Sequence, residues 1–192
     1  MKTKKIIKKT IIEPYEFYYT IFEGTLYLPK CEEIGSIALF KQKFEGNLNL
    51  LVCKKIGEFA FSNSKFSGYL DLPDCEEIGA YAFCYSEFIG DANLQNCAKI
   101  GAYAFYYSYF SGILNIKKCE HIGFCAFKNS NFSEINIAYN TELKDNCIGK
   151  HSSEFINFYN ENGKRAGIYK WNGITVWLCA VADLKHKTLN NR

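Results

Sequence analysis

The chain has 192 residues, of which 48% are hydrophobic and 22% are charged, values that are ordinary for one folded, soluble domain with a sizeable core. Its formal net charge of +3 is modest and gives no argument for a nucleic-acid partner, since such binders show a basic stripe on one face. No apolar run approaches the roughly 20 residues that a membrane-spanning helix needs, so membrane insertion is not expected.

Residues 1–23 carry the basic cluster of the sequence and are predicted to form a degenerate N-terminal repeat or cap. The cluster consists of Lys2, Lys4, Lys5, Lys8 and Lys9. We interpret it as a solvated edge, with contact to an anionic surface as the alternative. No apolar segment follows these lysines, so we expect no intact signal peptide in this chain. Either the protein stays inside the cell or a leader lies upstream.

Residues 24–149 are predicted to form a repeat solenoid, with five regular units over 24–133 and one irregular unit. Several columns share a spacing of 22 residues: Gly24, Gly46, Gly68, Gly90 and Gly112, each preceded by Phe two residues earlier; Cys31, Cys53, Cys75, Cys97 and Cys119; and the Ile-Gly pairs that begin at Ile34, Ile56, Ile78, Ile100 and Ile122. An Ala column follows, at Ala38, Ala60, Ala82, Ala104 and Ala126. After Phe132 the spacing changes, which indicates the end of the array.

Each unit is predicted to be mainly β or extended. In the third unit Leu70 and Leu72 alternate with outward residues and form a half-buried strand, which Pro73 ends. Gly79 is predicted to allow a turn, and Ala82 with Phe83 forms a second buried corner. Stacked units would lie about 4.8 Å apart, so that each column becomes a ladder through the core.

Residues 150–192 are predicted to form a small C-terminal cap of one helix and one hairpin, with a frayed tail over 183–192. The helix is placed at Glu154–Tyr159, with Ser152 or Ser153 as its N-cap. The pair Asn172-Gly173 suits a two-residue hairpin turn between strands at 168–171 and 174–178. The hairpin would cover the open end of the solenoid. Trp171 and Trp177 either pack on the last coil or form a ligand platform.

The repeat unit closely resembles the BspA-type (treponemal-type) leucine-rich repeat of bacterial and protozoan cell-surface proteins. Residues 61–83 carry this resemblance best, through the pattern F-x-G-x-L-x-L-P-x-C-x-x-I-G-x-x-A-F, and it extends over roughly 12–149. The segment 158–169 looks like the terminal module that often follows such arrays. The resemblance implies a right-handed solenoid, members that act in adhesion, host-protein binding or aggregation, and no catalytic residue. Cys here stands where the family often has an aliphatic residue.

The nine cysteines invite disulfide or metal interpretations, but buried thiols explain the Cys ladder better. A ladder places thiols in a line, whereas structural zinc needs four converging ligands. Cys84 and Cys125 fall on other columns and are expected to be partly exposed. His121 shares a solvated column with Glu33, Lys55, Glu77 and Lys99, while Cys119 points inward, so no Cys-His nucleophile is expected. We therefore predict no enzyme, no cofactor and no metal.

Two surfaces are candidate partner sites. One outward strand column reads Tyr27, Asn49, Asp71, Asn93, Asn115 and Asn136, and its neighbour reads Thr25, Asn47, Tyr69, Asp91 and Ile113. These columns would bind a glycan or an extended peptide, or form a self-bonded Asn ladder that solubilises the sheet. The second surface is a tyrosine cluster of Tyr81, Tyr85, Tyr103, Tyr106, Tyr107 and Tyr109, either a partner surface or, for Tyr81 and Tyr103, half-buried packing.

The sequence as a whole predicts a non-catalytic protein that binds macromolecules through its repeat surface. By resemblance it would be an adhesin-like, cell-surface or secreted protein that recognises a protein or a glycan. The alternative is an intracellular protein–protein interaction scaffold of the same fold. We expect a monomer or weak self-association.

Overall fold

The computed structural model describes residues 4–173 and 177–180. Within them the chain winds into a β-solenoid of about six turns with a repeat spacing near 22 residues, followed by one helix and a hairpin. This confirms the predicted fold class. The division of the chain at residues 23 and 149 stays a prediction. The predicted frayed tail at 183–192, and residues 174–176 of the predicted second hairpin strand, lie outside the described residues.

Each coil contributes one longer and one very short strand, and these stack into two sheets. The nine-stranded sheet contains β1 (Lys4–Ile6), β3 (Glu23–Tyr27), β5 (Lys43–Asn49), β7 (Lys65–Asp71), β9 (Ile89–Asn93), β11 (Tyr109–Ile116), β13 (Glu134–Ile137), β15 (Gly167–Trp171) and β16 (Trp177–Ala180). The seven-stranded sheet contains β2 (Ile11–Ile12), β4 (Glu33–Ile34), β6 (Lys55–Ile56), β8 (Glu77–Ile78), β10 (Lys99–Ile100), β12 (His121–Ile122) and β14 (Glu142–Leu143). Neighbouring strands are parallel up to β13, whereas β15 and β16 pair antiparallel.

The core consists of columns in which each residue touches its equivalent one coil away. Two Phe columns run side by side: Phe61, Phe83, Phe105 and Phe127, with stacked rings 4.9 to 5.2 Å apart, and Phe44, Phe66, Phe88, Phe110 and Phe132, with rings 5.7 to 5.9 Å apart. The two columns meet edge to face, as Phe83 does with Phe88 at 5.7 Å. No coil could bury these rings alone, which is why the array folds as a unit.

The glycine of each Ile-Gly pair allows the backbones of two neighbouring coils to lie close together. A Cβ on Gly79 would lie 2.6 Å from the backbone nitrogen of Glu58 in the preceding coil. The same conflict would occur at Gly57 and Gly101, at 2.5 and 2.4 Å from a backbone nitrogen. The predicted role of Gly79 in a turn is therefore not the reason for glycine at this position. Positive φ occurs two residues later, at Tyr81 (56°).

The C-terminal helix α1 (Ser152–Glu161) and the β15–β16 hairpin cover one end of the solenoid. The predicted serine cap is wrong, because the helix starts at Ser152 and His151 occupies the N-cap position without a side-chain bond. The Ser152 hydroxyl instead accepts a hydrogen bond from the Ile148 backbone N–H at 3.2 Å. Trp177 is buried and meets Phe155 edge to face at 5.0 Å.

Candidate functional site

The outward side chains of the nine-stranded sheet form a surface that we call the strand face. Along each strand they alternate with core residues, as in β7, where Lys65, Ser67, Tyr69 and Asp71 are more exposed than Phe66 and Leu70. The predicted site residues Tyr27, Asn49, Tyr69, Asp71, Asp91, Asn93 and Asn115 all lie on this face. The sheet thus brings the two predicted columns together.

Part of the column that begins with Tyr27 is a ladder of side chains that hydrogen-bond to one another. The Asn93 amide donates to Asp71 Oδ1 at 2.8 Å, and the Asn115 amide donates to Asn93 Oδ1 at 2.9 Å. Asn115 Oδ1 is buried and has no hydrogen-bond partner among the described residues. These three side chains are therefore committed mainly to one another, as in the self-bonded alternative.

Asp91 also serves the stacking of coils. Its Oδ1 accepts a hydrogen bond from the backbone N–H of Ile113 in the next strand at 2.7 Å. The strand bends here, since Gly90 has a φ of +70° and the pairing of β9 with β11 changes register between Phe110 and Leu114. The carboxylate replaces a ladder bond that the irregular pairing would otherwise leave unmade.

Large exposed side chains occupy the middle of the strand face. Tyr69, Ile89, Tyr109 and Ile113 are 55%, 54%, 49% and 40% exposed. Ile89 and Tyr109 are register partners in β9 and β11, and Asp91 lies in the column between Tyr69 and Ile113. We call these four residues the strand-face patch. Sequence reasoning did not single out Ile89, although its outward place in an alternating strand was the available signal.

The tyrosine cluster divides between two surfaces. Tyr85, Tyr106 and Tyr107 lie together at a corner of the coils, with Tyr85 stacked on Tyr107 at 4.9 Å and Tyr106 edge-on to Tyr107 at 4.6 Å. Desolvation, with a further contribution from Tyr107, raises the pKa of Tyr106. Tyr109 stands apart on the strand face, and no described ring stacks on it.

Tyr81 and Tyr103 form a stacked column with Phe59. Their rings lie parallel, 4.7 and 4.8 Å apart, and both tyrosines are half-buried. Desolvation raises the pKa of Tyr103. This arrangement matches the packing alternative for these two residues. Tyr106 is half-buried as well and meets Tyr103 edge to face at 5.5 Å, so Tyr85 and Tyr107 are the exposed tyrosines at this corner.

A groove of about 760 Å³ runs along the seven-stranded sheet and is lined by residues of six coils. Its lining includes the backbone of Gly57, Gly79, Gly101 and Gly123 together with Lys55, Glu77, Lys99, His121 and Phe124. Sequence reasoning treated this charged column as merely solvated. The signal for a structured surface was its alternating charge at the repeat spacing.

Cys119 and His121, the thiol and the imidazole considered together in the sequence, point to different surroundings. The Cys119 thiol is fully buried and donates to the His121 carbonyl at 3.4 Å, and burial raises its pKa to about 12. The His121 ring faces Glu142, with Nδ1 3.0 Å from Oε2. Cys84 and Cys125 are each 3% exposed, so their expected partial exposure is wrong. Across residues 4–173 and 177–180, no cluster of three or more His, Cys, Asp or Glu could hold a metal ion.

Comparison with protein-family models matches most of the chain. The family model described as "BspA type Leucine rich repeat region" matches six copies over residues 10–132 and 46–154. No curated protein and no solved structure matches the chain. In the described part of the chain no helix is long and apolar enough to cross a membrane.

Proposed function

Because the chain belongs to the BspA-type leucine-rich repeat family, we propose that it is a non-catalytic binding protein whose strand face recognises a protein or a glycan. Solenoids of stacked repeats typically serve as binding scaffolds, since each coil adds one strip to a continuous surface. The proposal extends to an adhesin-like role at the cell surface.

One observation carries the proposal, namely the strand-face patch of Tyr69, Ile89, Tyr109 and Ile113. A sheet face that only needed to be solvated would carry polar side chains at these outward positions, as it does at Asn93 and Asn115. Instead, four large side chains remain 40% to 55% exposed on neighbouring strands. Contiguous exposed apolar groups rimmed by polar residues mark interaction sites.

The chemistry of the patch suits either ligand class. Tyrosine offers a flat ring that packs against a sugar face or an apolar side chain, together with a hydroxyl that donates and accepts hydrogen bonds. The two tyrosines are well suited as binding hot spots, since interfaces concentrate their energy in such residues. Because the amides of Asn93 and Asn115 are held in the ladder, we assign them to the rim.

Binding is tested with the whole chain on arrays of extracellular-matrix proteins and of glycans, followed by biolayer interferometry on the strongest hit. The double variant Tyr69→Ala/Tyr109→Ala should weaken that binding by at least about tenfold. The matched control is Tyr139→Ala, which removes a tyrosine that is 71% exposed and lies outside the patch.

A second double variant, Tyr85→Ala/Tyr107→Ala, probes the corner cluster. If it abolishes binding while the strand-face variant leaves binding intact, the strand face is not the site and the corner takes its place. An unchanged affinity in both variants would remove both predicted surfaces. Circular dichroism of each variant shows whether the fold is retained.

The adhesin-like role is tested separately, by protease shaving of intact producing cells and mass spectrometry of the released peptides. Peptides from residues 24–149 released without lysis support exposure at the cell surface. Full protection until lysis would overturn that role and favour the intracellular scaffold, which would use the same strand face. A count of nine reactive thiols after denaturation would favour the inside as well.

A further inference from the structure

The outward residues of the seven-stranded sheet form a second surface, which we call the short-sheet face. Each coil places one residue in its central column, in the order Ile11, Glu33, Lys55, Glu77, Lys99, His121 and Glu142. The four charges from Glu33 to Lys99 alternate in sign at the coil spacing of about 4.8 Å. When a second copy of this row runs in the opposite direction, each charge in one copy faces a charge of opposite sign in the other.

The ion pairs within the chain leave these groups available. Glu77 lies 3.4 Å from both Lys55 and Lys99, and the side chains of the two lysines are 58% and 61% exposed. Partial burial acts to raise the pKa of Glu77, but hydrogen bonds from Lys99 and Lys55 outweigh it and hold the pKa below its ordinary value. Exposed pairs of this kind contribute little to stability, so their partners are free to take up a second opposite charge.

We propose that the short-sheet face binds a second copy of this chain, antiparallel, about a two-fold axis that passes between Lys55 and Glu77. Lys55 of each copy then faces Glu77 of the other, and Glu33 faces Lys99. The interface is isologous, as in most homodimers. It lies on a different sheet from the strand face, so it leaves the proposed ligand site open.

Charge disfavours the alternative registers. An axis between Glu33 and Lys55 would form only the two Glu33–Lys55 pairs and would set Glu77 against Ile11, whereas the proposed axis forms four ion pairs. A parallel alignment would place every charge opposite its own copy. An axis through Glu77 would oppose the two Glu77 carboxylates and set Lys55 against Lys99. An axis between Glu77 and Lys99 would set Glu33 against Glu142 and Lys55 against His121. Like charges in contact across an interface are strongly unfavourable.

The neighbouring column supports the same axis independently. It reads Glu32, Lys54, Glu76 and Ala98 in successive coils, and Lys54 already pairs with Glu32 at 3.1 Å. With the axis between Lys55 and Glu77, Lys54 of one copy faces Glu76 of the other and Glu32 faces Ala98. No like charges meet in this column between the second and the fifth coil.

Apolar groups close the two ends of the interface. The column on the other side runs from Pro14 in the first coil to Phe124 in the sixth, and Phe124 is 41% exposed. In the proposed register Pro14 of one copy faces Phe124 of the other, and Ile11, which is 44% exposed, faces His121. Between these ends Ser36 meets Ala102 and Glu58 meets Ala80. The dimer would therefore cover the groove along this face and bury two apolar contacts that the single chain leaves in water.

The test is sedimentation velocity of the whole chain over a range of concentrations at low ionic strength. The wild type should dimerise, with weaker association at high salt because the contacts are ionic. Lys55→Glu alone and Glu77→Lys alone should each weaken the dimer by at least about tenfold, because each places like charges face to face. The double variant Lys55→Glu/Glu77→Lys should dimerise again, since every pair is then opposite in sign.

An equimolar mixture of the two single variants gives the sharpest result. In the mixed dimer all four central pairs are complementary, so association should return to the strength of the wild type although each variant alone associates more weakly. The matched control is Lys43→Glu, which makes the same charge change at an exposed lysine on the strand face. A wild type that stays monomeric at all concentrations would overturn the proposal. So would single variants that associate as well as Lys43→Glu does.

Discussion

At the scale of single residues, the Ile-Gly glycines decide how closely two coils stack. The space that a side chain would need at Gly79 is occupied by the backbone of Glu58 and Gly57, at 2.6 and 2.7 Å. Backbone atoms in a stacked coil move only if the whole coil moves. The glycine therefore sets the spacing of the ladder, and the columns on either side inherit that spacing.

Gly79→Ala should lower the free energy of unfolding by about 3 kcal/mol, because the new methyl group pushes two coils apart. Gly68→Ala is the matched control, since its Cβ would meet chiefly the side chain of Asn47, which is exposed and free to rotate. That variant should lose about 1 kcal/mol. Urea unfolding of both variants measures the difference. Equal losses would contradict the backbone-contact explanation.

The buried thiols predict a loss of stability at alkaline pH. Burial raises the pKa of Cys119 from 9.0 to about 12, so the folded chain keeps this thiol protonated while the unfolded chain ionises it. Its contribution is complete below pH 9 and falls by about 1.4 kcal/mol per pH unit above that value. Cys119→Val should therefore show a shallower decline than the wild type between pH 9 and 11, measured by urea unfolding with a reductant present. Parallel declines would contradict this.

At the scale of the repeat element, each corner combines turns within a coil and hydrogen bonds between coils. The N–H groups of Tyr81, Phe83 and Tyr85 donate to carbonyls of the next coil at 2.7 to 2.9 Å, while Ala82 and Cys84 donate back within their own coil. This alternation requires positive φ at two positions in each regular unit, including the non-glycine residues Tyr81 and Tyr85. Stacking thus stabilises a backbone conformation that L-residues otherwise avoid.

Lys41→Asn should raise the free energy of unfolding by about 0.5 to 1 kcal/mol. Lys41 has a φ of 56° and is exposed, and two later units have asparagine in the same column, at Asn63 and Asn129. Asparagine tolerates this region better than other non-glycine residues. Lys41→Ala is the control, because it removes the same side chain without relieving the backbone. Thermal unfolding compares the two, and a gain in both would point to the lost charge instead.

At the scale of the whole molecule, the two ends of the solenoid differ. The C-terminal end is covered by α1 and the hairpin, where the Tyr159 hydroxyl donates to the Ala138 carbonyl and accepts from the Thr141 N–H. The N-terminal coil has a neighbour on one side only among the described residues. Lys5 takes the inward register position opposite Leu26, and its ammonium lies 4.2 Å from the Phe22 ring centre. An inward charge discourages further stacking at this end.

Hydrogen exchange should follow this asymmetry. The amides of the first coil, such as Tyr15 and Phe17, should exchange before those of the central coils, such as Phe83 and Phe105, because an end coil has half the stacking contacts. Exchange measured by mass spectrometry on peptic fragments gives the order. Earlier exchange of residues 134–149 than of 7–22 would mean that the C-terminal cap does not protect its end.

The sequence by itself determined the fold, because columns such as Cys31 to Cys119 repeat the same environment at a fixed spacing. Stacking equal coils buries every such column against its equivalents in the neighbouring coils. It also predicted the strand face, since alternation along Lys65–Asp71 tells inward residues from outward ones. The sequence predicted helix caps and the burial of single residues less well where contacts between coils decide them. The predicted serine cap was wrong because the helix already begins at Ser152, whose hydroxyl accepts a hydrogen bond from the Ile148 N–H instead. Cys84 is buried although its column is not part of the core pattern.

Only the tertiary structure decided which outward side chains form hydrogen bonds to one another and which remain exposed. Asp71, Asn93 and Asn115 bond one another, while Tyr69, Ile89, Tyr109 and Ile113 stay exposed, and both sets have the same outward alternation in sequence. The difference depends on side-chain distances between coils and on the register change after Gly90. The period fixes which residues are neighbours, but distances of a few ångströms decide whether neighbours bond to each other or stay exposed.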